Sequence, residues 1–203
     1  MKTHLENIFL ALVTLISVLA IPILAKADRG IIENPRLVIV VNSAKQGEAI
    51  DAQRIEAFVD GELFFKAVVS TAKEKKVHAG PSTNYPEGRE YWAHTPTGAF
   101  TISRRSINHV SSTWQGANMP FAQFFVGGIA LHATTPEHFE MLGQRDSGGC
   151  VRMHPRDAKI VWELVSRIGS KVTQIYVYDG SETPHPLGRL GEVPRHGQPS
   201  MMN

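Results

Sequence analysis

HATTPEHFEMLGQRDSGGCVRM, running from His132 to Met153, holds the only cysteine of the 203-residue chain, Cys150. Ser147, Gly148 and Gly149 precede that cysteine, Arg152 follows two places on, and His132 lies 18 positions upstream. A thiol becomes a good nucleophile only as the thiolate, so it needs a base; His132 is the candidate. The attacked carbonyl needs backbone amides aimed at its oxygen. The N–H of Cys150, with that of Gly149, is the candidate pair. Small residues beside a nucleophile let the chain turn sharply and let substrate approach the backbone. Outward from the stretch, Phe121 to Leu131 is strongly apolar, bends at Gly127-Gly128, and should deliver His132 at a strand end. On the other side Ile160, Val161, Leu164, Val165 and Ile168 recur at helical spacing within Arg156 to Ile168. Gly169 stands where a helix-ending glycine stands. A strand, a nucleophile loop and a helix packed behind it are therefore expected.

His132 together with Ser147-Gly148-Gly149-Cys150-Val151-Arg152-Met153 resembles the active-site signature of the L,D-transpeptidase catalytic domain, also called YkuD. Thr95-Pro96-Thr97-Gly98-Ala99-Phe100-Thr101-Ile102 is similar to that family's second marker. Met119-Pro120-Phe121 and Gly127-Gly128-Ile129-Ala130-Leu131 resemble its approach to the histidine. The likeness covers roughly residues 36 to 179. Two positions depart from it: Ala133 stands where glycine is common, and Gly148 where histidine is often found. The second departure puts more weight on His132 as the base. The resemblance implies a mainly β fold, two packed sheets in a sandwich or open barrel, with one helix after the catalytic loop. It implies that Cys150 takes an acyl group from a peptidoglycan stem peptide, at the bond between the L-centre of diaminopimelate and a terminal D-alanine. The acceptor would be a diaminopimelate amine on a second stem, an outer-membrane lipoprotein, or water, the last making the protein an L,D-carboxypeptidase. Carbapenem-type β-lactams would acylate the same sulfur. No cofactor is implied.

The N-terminal residues read differently from the rest. Lys2 opens a short polar start, Ile8 to Leu24 is a 17-residue, almost unbroken apolar run, and Ala25-Lys26-Ala27 fits a small-x-small cleavage site. Residues 1–27 are expected to be a secretory signal peptide. The alternative is a retained anchor helix, although the run is near the lower limit for spanning a bilayer and contains Pro22. Export to the periplasm or cell envelope follows. Residues 28–180 would be the catalytic domain and 181–203, rich in Pro, Gly and polar residues, a flexible tail. The formal charge of +2 becomes +1 without residues 1–27 (19 basic, 18 acidic), which makes no electrostatic case for nucleic acid. An unpaired cysteine in an exported chain reads as a reactive thiol or an intermolecular bridge. A metal site built on Cys150, His132, His138 and His154 lacks an established ligand spacing. A non-catalytic envelope-binding domain on the same fold is the other competing class.

The remaining elements follow from pattern. Leu37 to Val41 is a buried strand, and Gln53 to Phe58 and Leu63 to Ser70 form a hairpin around Asp60-Gly61. Lys73 to Lys76 reads as a solvated connection, and His78 to His94, rich in Gly, Pro, Ser and Asn, as a loop. Tyr85, Tyr91 and Trp92 on that loop are candidate walls of a substrate cleft, or pack the loop on its own domain. Arg104 to Gln115 is polar and, with Gly116 to Pro120, could form a flap. Thr135-Pro136 looks like a helix start stopped by Gly143, and Lys171 to Tyr178 alternates as a last strand. Arg152 could clamp a substrate carboxylate or order the loop by a salt bridge. Ser147 could hold the loop or the histidine, and Thr134 could touch substrate or orient His132.

Overall fold

The computed structural model describes residues 31–188. Residues 1–27, expected to be a signal peptide, and the end of the expected tail beyond Gly188 lie outside the described residues. The strands are β1 (Leu37–Asn42), β2 (Arg54–Val59), β3 (Glu62–Ser70), β4 (Lys75–Ala79), β5 (Arg89–Ala93), β6 (Gly98–Thr101), β7 (Arg104–Val110), β8 (Asn118–Val126), β9 (Ile129–Ala133), β10 (Val151–Met153) and β11 (Thr173–Tyr178). Among the described residues one α-helix, α1 (Pro155–Ile168), and two short 3-10 turns, Pro136–Met141 and Ser170–Val172, complete the order.

Nine strands form a curled sheet in the order β6-β11-β1-β2-β3-β10-β9-β8-β7, so the fold is the mainly β, half-barrel kind with one helix. All six residues of β1 are buried, as its Leu-Val-Ile-Val-Val run requires for a strand covered on both faces. It pairs with β11 in parallel and with β2 antiparallel. The β2–β3 turn has Asp60 at φ 48° and Gly61 at φ 87°. Two consecutive positive φ values suit a two-residue hairpin whose twist matches the strands, and Asp-Gly supplies them cheaply.

The two halves of the sheet meet at β10, three residues long, which pairs antiparallel with β3 and parallel with β9. One apolar core runs through both halves, from Leu37, Ile39 and Ile55 to Leu131, Val151 and Met153. Helix α1 seals it with Ala158, Val161, Leu164 and Val165, all buried. Pro155 opens the helix, the His154 side chain accepts the Arg156 N–H at 3.3 Å, and Gly169 at φ 112° closes it. The helix thus begins two residues after β10 ends and packs chiefly on β9 and β8.

Two expectations change. Residues 75–93 are not simply a solvated connection and a loop: β4 and β5 pair antiparallel as a separate hairpin, Lys75↔Ala93 to Ala79↔Arg89. Its strands are only five residues long, and their inward positions, Val77 and Ala79 on β4 and Tyr91 and Ala93 on β5, are too few and too small to make a visible apolar alternation, while the Gly, Pro and Asn between them belong to the hairpin's own connection. The polar stretch after Ser103 is β7, an edge strand that pairs with β8 and keeps Ile107 and Val110 exposed. Thr135 precedes a 3-10 turn with Pro136 first, and its hydroxyl donates to Glu137 rather than capping the turn. After β11, His185 sets its ring edge-on to Phe58 and Tyr178 and lies 3.2 Å from a Glu56 carboxylate oxygen.

Candidate active site

Side chains alternate across a strand, and the β9–β10 pair uses that alternation to divide labour. In the parallel register Leu131 faces Val151 and Ala133 faces Met153, and all four are fully buried in the core. The intervening positions turn the other way. Ala130 and His132 on β9 and Cys150 and Arg152 on β10 or just before it therefore share the opposite face. That face is the floor of a cleft of about 690 Å³ lined by His132, Thr134, Gly148, Gly149, Cys150 and Arg152, among others.

His132 is only 6% exposed, and its Nδ1 lies 2.8 Å from the Ala133 carbonyl oxygen. A carbonyl can only accept, so Nδ1 carries the proton and Nε2 is left as the basic nitrogen. Burial, the largest influence, pushes the imidazole down to about 4. The Ala133 bond opposes this, and the charge of Arg152 adds to it. Burial likewise pushes the Cys150 thiol up, against the Ala130 N–H and the charge of Arg152. The resting pair is therefore neutral imidazole and neutral thiol. Cys150 Sγ receives the Ala130 N–H at 3.4 Å and lies 3.8 Å from the Gly128 carbonyl, and no hydrogen bond joins it to His132. Such bonds tighten when substrate fills a site.

Three consecutive carbonyls of the Cys150 loop are each held by a hydroxyl. Tyr91 donates to Gly148 O at 3.0 Å, Thr95 to Gly149 O at 2.8 Å, and Ser147 to Cys150 O at 2.5 Å. Within one trans peptide the C=O and the next N–H point in opposite directions. By anchoring Gly149 O, Thr95 turns the Cys150 N–H the other way, and among the described residues no acceptor takes it. The Gly149 N–H, expected as the second oxyanion donor, is already given to Ser147 Oγ at 3.1 Å. Ser147 is thus a loop clamp, bonded at both ends of the turn, and the free donor beside the sulfur is that of Cys150.

Gly148 stands where a side chain has no room. A Cβ there would meet Tyr91 Oη at 2.4 Å and the Trp114 ring at 3.2 Å. Gly148→Ala is expected to displace Tyr91 and slow acylation of Cys150 on the order of 10²-fold, the cost of misplacing a reacting group by about 1 Å. Adding Tyr91→Phe should restore part of the rate. Acylation kinetics on the single and double variants check this, and no recovery would place the defect elsewhere.

Other predicted residues fall in different places. Arg152 lines the cleft but its guanidinium donates to Asp146 at 3.0 Å, and Asp146 also meets Lys73 at 3.1 Å and His138 at 3.4 Å. Thr134 lines the cleft, buried, its N–H on the Met153 carbonyl at 2.8 Å. Trp92 is on the wall and 63% exposed. Tyr85 is not: it lies outside the lining and stacks on Arg89, because the hairpin turns it from the cleft. Tyr91 and Trp114 take the wall beside Cys150, edge to face at 6.0 Å. Thr95, Trp114 and Asp146 were not singled out from sequence as site residues. Thr95 lies in a quoted motif, whereas Trp114 and Asp146 carried no signal. Among the described residues no cluster of three or more His, Cys, Asp or Glu side chains could hold a metal ion.

Solved structures share this architecture at low identity. An L,D-transpeptidase segment from Xylanimonas cellulosilytica is 23% identical with a TM-score of 0.55, over 73% of this chain and 63% of that one. An L,D-transpeptidase from Stackebrandtia nassauensis is 23% identical at a TM-score of 0.51, over 77% and 62%. One from Mycobacterium smegmatis is 20% identical at 0.50, over 71% and 59%. The chain thus spans about three fifths of the length of those proteins. Among curated proteins none matches it. The family model of the L,D-transpeptidase catalytic domain, YkuD, matches residues 36–181, from just before β1 to just after β11 and across the whole cleft. On that match over most of its length, the chain belongs to the L,D-transpeptidase catalytic domain (YkuD) family.

Proposed function

We propose that this protein is a cysteine-dependent L,D-transpeptidase acting on peptidoglycan stem peptides. The observation that carries the reading is the shared cleft face of β9 and β10. It presents a lone thiol, a neutral imidazole with its Nδ1–H engaged, and an unspent amide at Cys150. Cys150 Sγ attacks the carbonyl of the L-centre of diaminopimelate, and its proton passes to His132 Nε2. The Cys150 N–H holds the developing oxyanion. The C–N bond breaks, the imidazolium returns its proton to the departing D-alanine amine, and a thioester remains. An amine on a second stem then attacks that thioester, losing a proton to His132, and releases the sulfur with a new cross-link.

A lipoprotein amine in place of the second stem would attach that protein to the wall, and water would give the L,D-carboxypeptidase reaction. All three share one acyl-enzyme. Carbapenem-type β-lactams would stop at it, acylating Cys150. The signal-like pattern of residues 1–27 supports action outside the cytoplasmic membrane, in the periplasm or cell envelope. The test is incubation with a purified disaccharide-tetrapeptide and mass spectrometry of the products. A dimer lacking one D-alanine is expected. Tripeptide alone would establish the hydrolytic alternative, and unchanged substrate would overturn both.

A further inference from the structure

We propose that Arg89, on the β4–β5 hairpin, is a substrate-binding residue that takes a carboxylate of the stem peptide in the cleft. The site rests on the function proposed above for the identity of the peptide. Two arginines line the cleft, Arg89 and Arg152. Arg152 is already paired with Asp146 at 3.0 Å. Arg89 makes no ion pair among the described residues, and its Nε is buried without a hydrogen-bond partner.

The guanidinium is held between two aromatic rings. It lies 4.4 Å from the Tyr85 ring centre and 4.3 Å from that of Tyr91. Stacking uses the faces of the planar group and leaves its in-plane N–H donors for another partner, and a carboxylate matches that fork bidentately. The stack also fixes the side chain before substrate arrives, so less rotamer freedom is lost on binding. Tyr91 fixes the distance to the chemistry as well, since its hydroxyl holds the Gly148 carbonyl two residues before the nucleophile. The hairpin itself is steadied from the connection between β7 and β8: the Asn84 N–H donates to Ser112 O at 2.8 Å, and Asn84 Nδ2 to Ser112 Oγ at 3.2 Å. The lining carboxylate Glu137 takes the Thr135 hydroxyl and makes no pair with Arg89, so the charged, preorganised fork keeps its donors for a carboxylate of the ligand.

The two carboxylates of a tetrapeptide stem nearest the bond that breaks are the one on the diaminopimelate side chain and the one on the terminal D-alanine. Calorimetric titration of the Cys150→Ala protein separates them, using the disaccharide-tetrapeptide, its side-chain carboxamide and its C-terminal carboxamide. One of the two carboxamides is expected to bind roughly ten- to a hundredfold more weakly than the acid, the range for a charge-assisted hydrogen-bonded pair. With Arg89→Gln added, the acid should fall to the affinity of that carboxamide, whose own affinity stays unchanged. Arg89→Lys, which keeps the charge and loses the fork, should lie between. A collapsed wall would weaken all three ligands alike and overturn the assignment. So would an acid preference that survives Arg89→Gln, or equal binding of all three ligands while Arg89 is present. Turnover by the protein with Cys150 and Arg89 intact is read separately. Products without an acid preference would remove Arg89 and leave the transpeptidase reading standing. An acid preference without products would do the reverse.

Discussion

Cys150→Ala is expected to reduce turnover on the order of 10⁶-fold, the scale seen when a covalent nucleophile is removed from a preorganised site. Neither hydroxyl bonded to the Cys150 loop is free to replace it: the Ser147 hydroxyl is bonded to both Gly149 N and Cys150 O, and the Thr95 hydroxyl is bonded to Gly149 O. The fold should not notice. Cys150 packs against Met119, Ala122, Phe124 and Ala130 from a partly exposed position at the end of a braced loop. Losing one sulfur there should cost about 1 kcal/mol or less. Cys150→Ser should be nearly as inactive, because burial that already raises a thiol hinders an alkoxide far more. Product formation by mass spectrometry and thermal unfolding of the same samples check both halves. Appreciable turnover in the alanine variant would show that the sulfur is not the attacking atom. A lost unfolding transition would mean the loop depends on it for structure.

What could be read from the residues depended on how local the physics was. Leu37 to Val41, the Asp60-Gly61 turn and the helix ending at Gly169 each rest on a run, a dipeptide or a period, and each stands where the pattern put it. The β4–β5 hairpin was illegible because its inward face is short and mostly small, Val77, Ala79, Tyr91 and Ala93. It is held by its ladder, by Tyr91 on Gly148 and by Asn84 on Ser112, contacts that span long stretches of sequence. The same reason hides most of the site beyond the motif. Cys150 and His132 are visible as residue types with a shared flank. Which hydroxyl holds which carbonyl depends on how Tyr91, Thr95 and Ser147 converge in space. Gly149 shows the cost of reasoning from adjacency alone: its amide sits next to the nucleophile, yet Ser147 has taken it. Gly148, where a histidine is often found in related sequences, becomes intelligible only with the Tyr91 hydroxyl and Trp114 ring filling the space beside it.

His132→Asn is expected to slow acylation by roughly 10²- to 10⁴-fold, the usual contribution of a positioned base. The asparagine amide can still donate to the Ala133 carbonyl, so the loss falls on the basic nitrogen rather than on the strand. With the imidazole at about 4 in the folded protein, its base form is already dominant above pH 5, and the acid limb of the wild-type profile should lie near pH 4, not near 6.5. In the asparagine variant only spontaneous ionisation of the raised thiol remains, so the residual rate should climb about tenfold per pH unit across the neutral range. Stability carries the same signature. The unfolded chain takes up this proton near 6.5 and the folded chain only near 4, so the unfolded state binds more protons in between. Stability should therefore fall as pH drops through that window, by at most about 3 kcal/mol, with no contribution from His132 above it. Urea unfolding of wild type and His132→Asn between pH 4 and 7 isolates the effect as a difference that grows toward acid. If the two rate profiles coincide, His132 is not the base. If the two stability curves stay parallel, burial does not hold the imidazole neutral.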